Sequence, residues 1–94
     1  MAILGFADKE TEMIFDGGLS RRIPQSIQKI AFRKMLYMDS INTLNDLRQP
    51  PSNHLEALHG DREGQYSIRV NKQYRICFTV QKNGFDNVEI IDYH

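Results

Sequence analysis

The stretch GQYSIRVNKQYRICFTV, from Gly64 to Val80, decides the fold because its apolar residues alternate as they do in two paired β-strands. The alternating residues are Tyr66, Ile68 and Val70 on the first strand and Tyr74, Ile76, Phe78 and Val80 on the second. Both sets must lie on one face of the hairpin, which a loop of residues 71–73 allows and a two-residue loop does not. This register predicts that Ile68 pairs with Ile76 and that Arg69 pairs with Arg75.

The two paired arginines lie on the opposite face of this hairpin. Residues that pair directly across strands have Cβ atoms roughly 5 Å apart, and like charges at that distance repel each other. The planar guanidinium group of arginine fits a phosphate better than any other side chain does. The pairing of Arg69 with Arg75 therefore predicts an anion site between them.

Length and composition predict one small folded domain over residues 1–94, with 40% hydrophobic and 26% charged residues. The single cysteine, Cys77, excludes a disulfide framework and favours a reducing, cytoplasmic setting. The first residues lack the basic start of a signal peptide, and no stretch is apolar enough to span a membrane. We therefore expect no membrane partner.

The charges are segregated along the chain although they sum to zero, with 12 basic and 12 acidic residues. Residues 20–37 contain no acid but five basic residues, namely Arg21, Arg22, Lys29, Arg33 and Lys34. Residues 66–82 contain four basic residues and again no acid. A neutral chain with local basic patches favours a defined anionic partner over non-specific coating of nucleic acid. The alternative for residues 20–37 is a solvated helix face.

Helix signals come first in the chain and strand signals come last. Asp8 is the predicted N-cap of a helix that ends at Asp16, and Pro24 begins a helix that runs to about Met38. The other predicted elements are an edge strand at 3–6, a short helix at 43–48, and strands at 55–58 and 88–93 beside the hairpin. This order predicts an α+β fold, in which helices cover one face of a mainly antiparallel sheet and leave the other face free.

Three histidines, His54, His59 and His94, fall in or just before the strand-rich half, and the chain closes on Asp92-Tyr93-His94. No glycine-rich phosphate loop, cysteine pair or close histidine pair is present. A metal held by His59, Asp92 and His94 is disfavoured by the neighbouring arginines, so we expect no metal and no cofactor. Arginines, imidazoles and a tyrosine suit RNA transesterification, in which the 2′-hydroxyl attacks its own phosphate.

Four segments carry a resemblance to a known family: NHLEALHGD at 53–61, GQYSIRVN at 64–71, QYRICF at 73–78 and VEIIDYH at 88–94. They strongly resemble the HigB-type toxins of the RelE superfamily, and the likeness extends over nearly the whole chain. The resemblance implies a toxin that enters the A site of the 70S ribosome and cleaves the mRNA there. It also implies a HigA-like helix-turn-helix antitoxin as partner. The toxin would bind operator DNA only through this antitoxin.

The resemblance assigns roles residue by residue. Arg75 matches the phosphate-binding arginine of the family, and Tyr93 and His94 match the C-terminal pair at the active site, with Asp92 before them. Arg69 matches another basic position on the same surface, and Glu56 occupies a place where some members have histidine. His59 stands where many members have lysine, which is the main departure of this chain from the family. The general base therefore stays open between His59 and His94. For the basic residues of segment 20–37, the resemblance implies a second interpretation, namely that they form the ribosome-facing surface.

Two other classes of protein remain as alternatives. A non-catalytic binder on the same fold, such as a ParE-like gyrase poison, generally lacks the Asp-Tyr-His ending and the paired arginines. A regulatory or immunity module that binds only protein leaves the facing Arg69 and Arg75 unexplained.

Overall fold

The computed structural model describes residues 1–93, in which two helices pack on a five-stranded sheet. The helices are α1 (Lys9–Phe15) and α2 (Gln25–Ser40), and the strands are β1 (Ala2–Ile3), β2 (Glu56–Ala57), β3 (Gln65–Arg69), β4 (Tyr74–Gln81) and β5 (Gly84–Asp92). The strand order is β1-β5-β4-β3-β2, and every pairing is antiparallel except that of β1 with β5. The predicted α+β class is confirmed.

The hairpin of β3 and β4 has the predicted register. Ile68 pairs with Ile76, and Arg69 pairs with Arg75. The Asn71 side chain explains the three-residue loop, because its Oδ1 accepts hydrogen bonds from the backbone N–H groups of Gln73 at 2.8 Å and Tyr74 at 2.7 Å. A side chain that satisfies two loop amides in this way favours a tight turn over a longer strand.

The helices begin and end close to the predicted residues. Asp8 caps α1 by accepting a hydrogen bond from the Thr11 backbone at 2.7 Å, as predicted. Pro24 is the cap of α2 and not its first residue, since its ψ of 135° is extended. The helix also runs two residues past Met38, because no glycine or proline interrupts it before Ile41 becomes extended.

Three further predictions need correction. The helix expected at 43–48 is a short 3-10 turn at Leu44–Arg48. The edge strand expected at 3–6 is β1 followed by a bridge from Phe6 to Val88. The strand expected at 55–58 contains only Glu56–Ala57, since it lies between a left-handed His54 and a 3-10 turn at Gly60–Arg62.

The core lies between the helices and one face of the sheet. Ala31, Met35 and Met38 of α2 are completely buried, as are Phe78 of β4 and Phe85 of β5. Alternation along β4 directs Arg75 to the other face of the sheet, away from these helices. Among the described residues, no helix combines the length and the apolar character needed to cross a membrane.

Candidate functional site

A cavity of about 340 Å³ opens on the sheet face that is turned away from the helices. Its lining residues are His54, Glu56, Arg69, Asn71, Lys72, Arg75 and Tyr93. They come from β2 and the segment before it, from both strands of the arginine hairpin, from the hairpin loop, and from the residue after β5. The antiparallel register therefore brings together groups that lie far apart in the sequence.

Arg75 lines this cavity and is only 8% exposed. Its Nε donates a hydrogen bond to Ser67 Oγ at 2.7 Å, and its Nη2 donates one to the His54 carbonyl at 2.6 Å. Burial of a charge is costly unless hydrogen bonds compensate for the lost water. Here neutral acceptors fix the orientation of the guanidinium and leave its positive charge in place.

Few negative charges balance the cations of the cavity. Glu56 is the only carboxylate among the lining residues in the described chain, and its Oε1 lies 3.9 Å from Arg75 Nη2. The Glu56 side chain is 52% exposed, so solvent weakens this ion pair. Within residues 1–93 the Arg69 side chain donates only to the Asn71 carbonyl, at 3.1 Å, and Lys72 adds a third cation to the lining. The cavity is therefore positively charged.

The hairpin loop also holds the end of β5 beside Arg75. The Gln73 carbonyl accepts a hydrogen bond from the Tyr93 backbone at 2.7 Å, and Gln73 Nε2 donates to Asp92 Oδ2 at 2.9 Å. The Tyr93 ring centroid lies 5.7 Å from Arg75 Cζ, a distance at which a cation and an aromatic ring attract each other. Asp92 and Tyr93 are thus tied to the loop between the two arginines.

The structure brings some of the candidate residues of the strand-rich half into one cavity, and Asp92 lies beside that cavity without being part of its lining. Four of them, Glu56, Arg69, Arg75 and Tyr93, line the same cavity. His59 is exposed before the Gly60–Arg62 turn and is not part of the lining, so its role stays a prediction. His94 lies outside the described residues.

His54, Asn71 and Lys72 line the cavity without having been predicted there. The loop assignment of 71–73 was the available signal for Asn71 and Lys72, because residues of that loop must lie beside Arg69 and Arg75. The sequence contained no comparable signal for His54, because the position of His54 depends on its own backbone φ of 45°.

The basic residues of segment 20–37 occupy several separate surroundings. Arg22 forms an ion pair with Asp8 at 2.9 Å, and Arg21 is exposed. Lys29 lines a groove between α1 and α2, whereas Arg33 and Lys34 line a cavity on another side of α2. The segment is therefore not one continuous patch.

Cys77 lies on β4 two residues after Arg75 and is completely buried. Burial raises the pKa of its thiol to about 11, so the thiol stays protonated and unreactive near neutral pH. Within residues 1–93, no three His, Cys, Asp or Glu side chains converge as metal ligands do.

A layer of helices on one sheet face and a cationic cavity on the other define this chain as a two-layer α+β protein with an open, positively charged sheet face. The same fold is found in the YoeB/ParE toxin from Agrobacterium tumefaciens, with a TM-score of 0.52 and 17% identity over 100% of this chain and 99% of that one. A family described as the RelE-like toxin of type II toxin–antitoxin system HigB matches residues 4–94. The chain belongs to this HigB-like toxin family.

Two relatives support this membership. Toxin HigB-1 of Vibrio cholerae serotype O1 is 46% identical over 76 residues, which cover 80% of each chain. Endoribonuclease HigB of Proteus vulgaris is 29% identical over 93 residues, which cover 98% of this chain and 99% of that protein. The family identity expected from the sequence is confirmed, and with it the role of toxin in a toxin–antitoxin pair.

Proposed function

We propose that this toxin is an endoribonuclease that cleaves mRNA in the A site of the ribosome. The Proteus relative, which bears the name endoribonuclease, supports the activity. The observation that carries the proposal is Arg75, a buried cation that is held by neutral acceptors beside Arg69 and Lys72. Such a site suits the phosphate of an RNA strand, because it offers positive charge in a fixed position.

In the proposed reaction the ribose 2′-oxygen attacks the adjacent phosphorus. A bond forms between these two atoms, and the bond from phosphorus to the leaving 5′-oxygen breaks. A base takes the 2′ proton and an acid gives a proton to the 5′-oxygen, which leaves a 2′,3′-cyclic phosphate and a 5′-hydroxyl. Because the nucleophile belongs to the RNA itself, this route uses no metal ion.

The residues of the cavity divide the work as follows. Arg75 stabilises the charge that grows on the phosphate oxygens, because its Nη1 makes no hydrogen bond among residues 1–93. Tyr93 stacks on a base or donates a hydrogen bond from its phenol. Proton transfer belongs to histidine, with His59 and His94 as the candidates from the sequence and His54 added by its place in the cavity lining.

The remaining partners follow from the proposed ribosomal site. Arg69, Asp92 and Glu56 contact the RNA around the scissile phosphate. Separate contacts to the ribosome are made by Arg21, Arg22, Lys29, Arg33 and Lys34. The antitoxin of this type II pair carries the helix-turn-helix and binds operator DNA, whereas the toxin reaches DNA only through it.

Replacement of Arg75 by alanine tests the proposal. We expect Arg75→Ala to lower the rate of mRNA cleavage on programmed ribosomes by a factor of about 10² or more, because a fixed cation at the phosphate is lost. Arg48→Ala is the matched control, since Arg48 is exposed and its side chain bonds only to Asn45 in the described part of the chain. Mapping of the mRNA 5′ ends should show codon-associated cuts.

Full cleavage by the Arg75→Ala variant would contradict the role of this arginine. If the unaltered protein made no cut on ribosomes but inhibited DNA gyrase, the gyrase-poison alternative would replace the proposal.

A further inference from the structure

A second cavity lies between α2 and the turn that contains Pro50, and its volume is about 250 Å³. Its lining residues are Ile30, Arg33, Lys34, Tyr37, Pro50 and Asn53. Within the described chain this lining contains two cations and an aromatic ring but no carboxylate. Nucleic-acid sites on proteins combine the same elements, because cations bind phosphates while rings and apolar surfaces accept bases.

Lys34 is an uncompensated cation in this cavity. Its ammonium group donates a hydrogen bond to the side-chain oxygen of Asn53, and it forms no ion pair among residues 1–93. Burial lowers the pKa of Lys34, which reports the cost of removing the charge from water. A bound anion would offset that cost.

Asn53 fixes the position of this ammonium group. The Asn53 side chain is buried, at 2% exposure, and its Nδ2 donates to the carbonyls of Leu47 and Gln49, each at 3.2 Å. These two bonds use the amide nitrogen, so the amide oxygen must face Lys34. The cavity is therefore built before any ligand arrives, and no large rearrangement is needed for binding.

The second cavity and the Arg75 cavity adjoin consecutive residues of the chain. Lys34 contacts Asn53, and Arg75 donates to the carbonyl of the next residue, His54, at 2.6 Å. Asn53 lines the second cavity and His54 lines the Arg75 cavity, and consecutive Cα atoms are about 3.8 Å apart, so the two cavities meet the same short segment of chain. An RNA strand or ribosomal RNA near Arg75 would have to follow the surface around this segment to contact Lys34 and Arg33.

We infer that the second cavity binds an RNA phosphate other than the scissile one, with a base against the Tyr37 ring. This inference rests on the proposed endoribonuclease function. Among the basic residues of segment 20–37, it assigns the contact with this phosphate to Arg33 and Lys34. The phosphate belongs either to the mRNA or to ribosomal RNA, which share the same chemistry.

The decisive variant is Lys34→Met, which removes the charge and keeps most of the side-chain volume. One lost phosphate contact should raise the ribosome concentration that gives half-maximal cleavage by roughly fourfold at about 0.15 M salt. The cleavage rate at saturating ribosomes should keep most of its value, because Arg75 is unchanged. Lys34→Arg should retain tight binding, since it preserves the charge.

Two further variants guard against a folding defect. Arg33 is exposed, so Arg33→Gln should fold normally and should show the same fourfold effect. Lys9→Gln removes an exposed charge at the start of α1 and serves as the matched control. If Lys34→Met and Arg33→Gln both behaved like Lys9→Gln in this titration, the inference would be overturned while ribosomal cleavage stood.

The source of the phosphate is resolved by binding to a free RNA oligonucleotide with a 2′-deoxy group at the cleavage position. Weaker binding of this RNA by Lys34→Met assigns the phosphate to the mRNA. An effect seen only with ribosomes assigns it to ribosomal RNA. If the unaltered protein made no cut on ribosomes, the proposed function and this inference would both be refuted.

Discussion

Ser67 is the residue whose replacement best tests how the fold serves the site. Its Oγ accepts the hydrogen bond from Arg75 Nε at 2.7 Å, and the residue is completely buried. A hydrogen bond to a charged group contributes about 1.5–3 kcal/mol. Because Nη2 keeps its bond to the His54 carbonyl, we expect Ser67→Ala to lower the free energy of unfolding by about 2 kcal/mol.

Loss of the hydrogen bond between Ser67 and Arg75 should be visible in two measurements. In a domain of this size 1 kcal/mol shifts Tm by about 4–8 °C, so thermal unfolding should begin roughly 10 °C lower. The rate of mRNA cleavage at saturating ribosomes should fall about tenfold, because the freed guanidinium can rotate away from the phosphate. Ser26→Ala is the control, since Ser26 is exposed on α2.

The two measurements separate two roles of Ser67. A lower Tm with an unchanged saturated rate would mean that Ser67 supports the fold without positioning Arg75. An unchanged Tm and an unchanged rate would refute the reasoning altogether.

Two further predictions concern stability. Asp8→Ala should lower the free energy of unfolding in urea by about 1 kcal/mol, because it removes the cap of α1. The control Asp61→Ala changes an exposed residue and should lower it little, so equal losses would argue against capping. Since burial raises the pKa of Cys77 to about 11, the folded state keeps a proton that the unfolded chain releases, and stability should fall by up to ~2 kcal/mol between about pH 9 and pH 11. The Cys77→Ala variant should lack this fall in stability. If its stability changed with pH in the same way as that of the unaltered protein, the prediction would be contradicted.

The hairpin could be predicted because its alternation leaves little choice. The alternating apolar residues from Tyr66 to Val80 had to share a face, and that condition fixed the loop and the pairing of Arg69 with Arg75. The cap at Asp8 was equally local, since it depends on one side chain and the N–H of Thr11. Helix ends depend on weaker local signals, and α2 accordingly runs two residues beyond its predicted end.

The segment between α2 and β3 could not be predicted in the same way. It pairs only Glu56–Ala57 with β3, and its path depends on a left-handed His54 and on the contact between Asn53 and Lys34. Such contacts join residues that lie far apart in the sequence, and no periodicity reports them. For that reason the sequence predicted neither the place of His54 in the lining of the Arg75 cavity nor the existence of the second cavity.

The partners of Arg75 explain how a buried cation can serve both folding and RNA binding. A buried carboxylate in direct contact would satisfy the guanidinium, but it would also cancel the charge that a phosphate needs. Ser67 Oγ and the His54 carbonyl satisfy the same donors without carrying charge. Glu56 lies at 3.9 Å and is half exposed, so solvent screens its charge and it only weakly offsets that of Arg75. The arrangement therefore fixes Arg75 in the apo protein and still leaves its charge for the ligand.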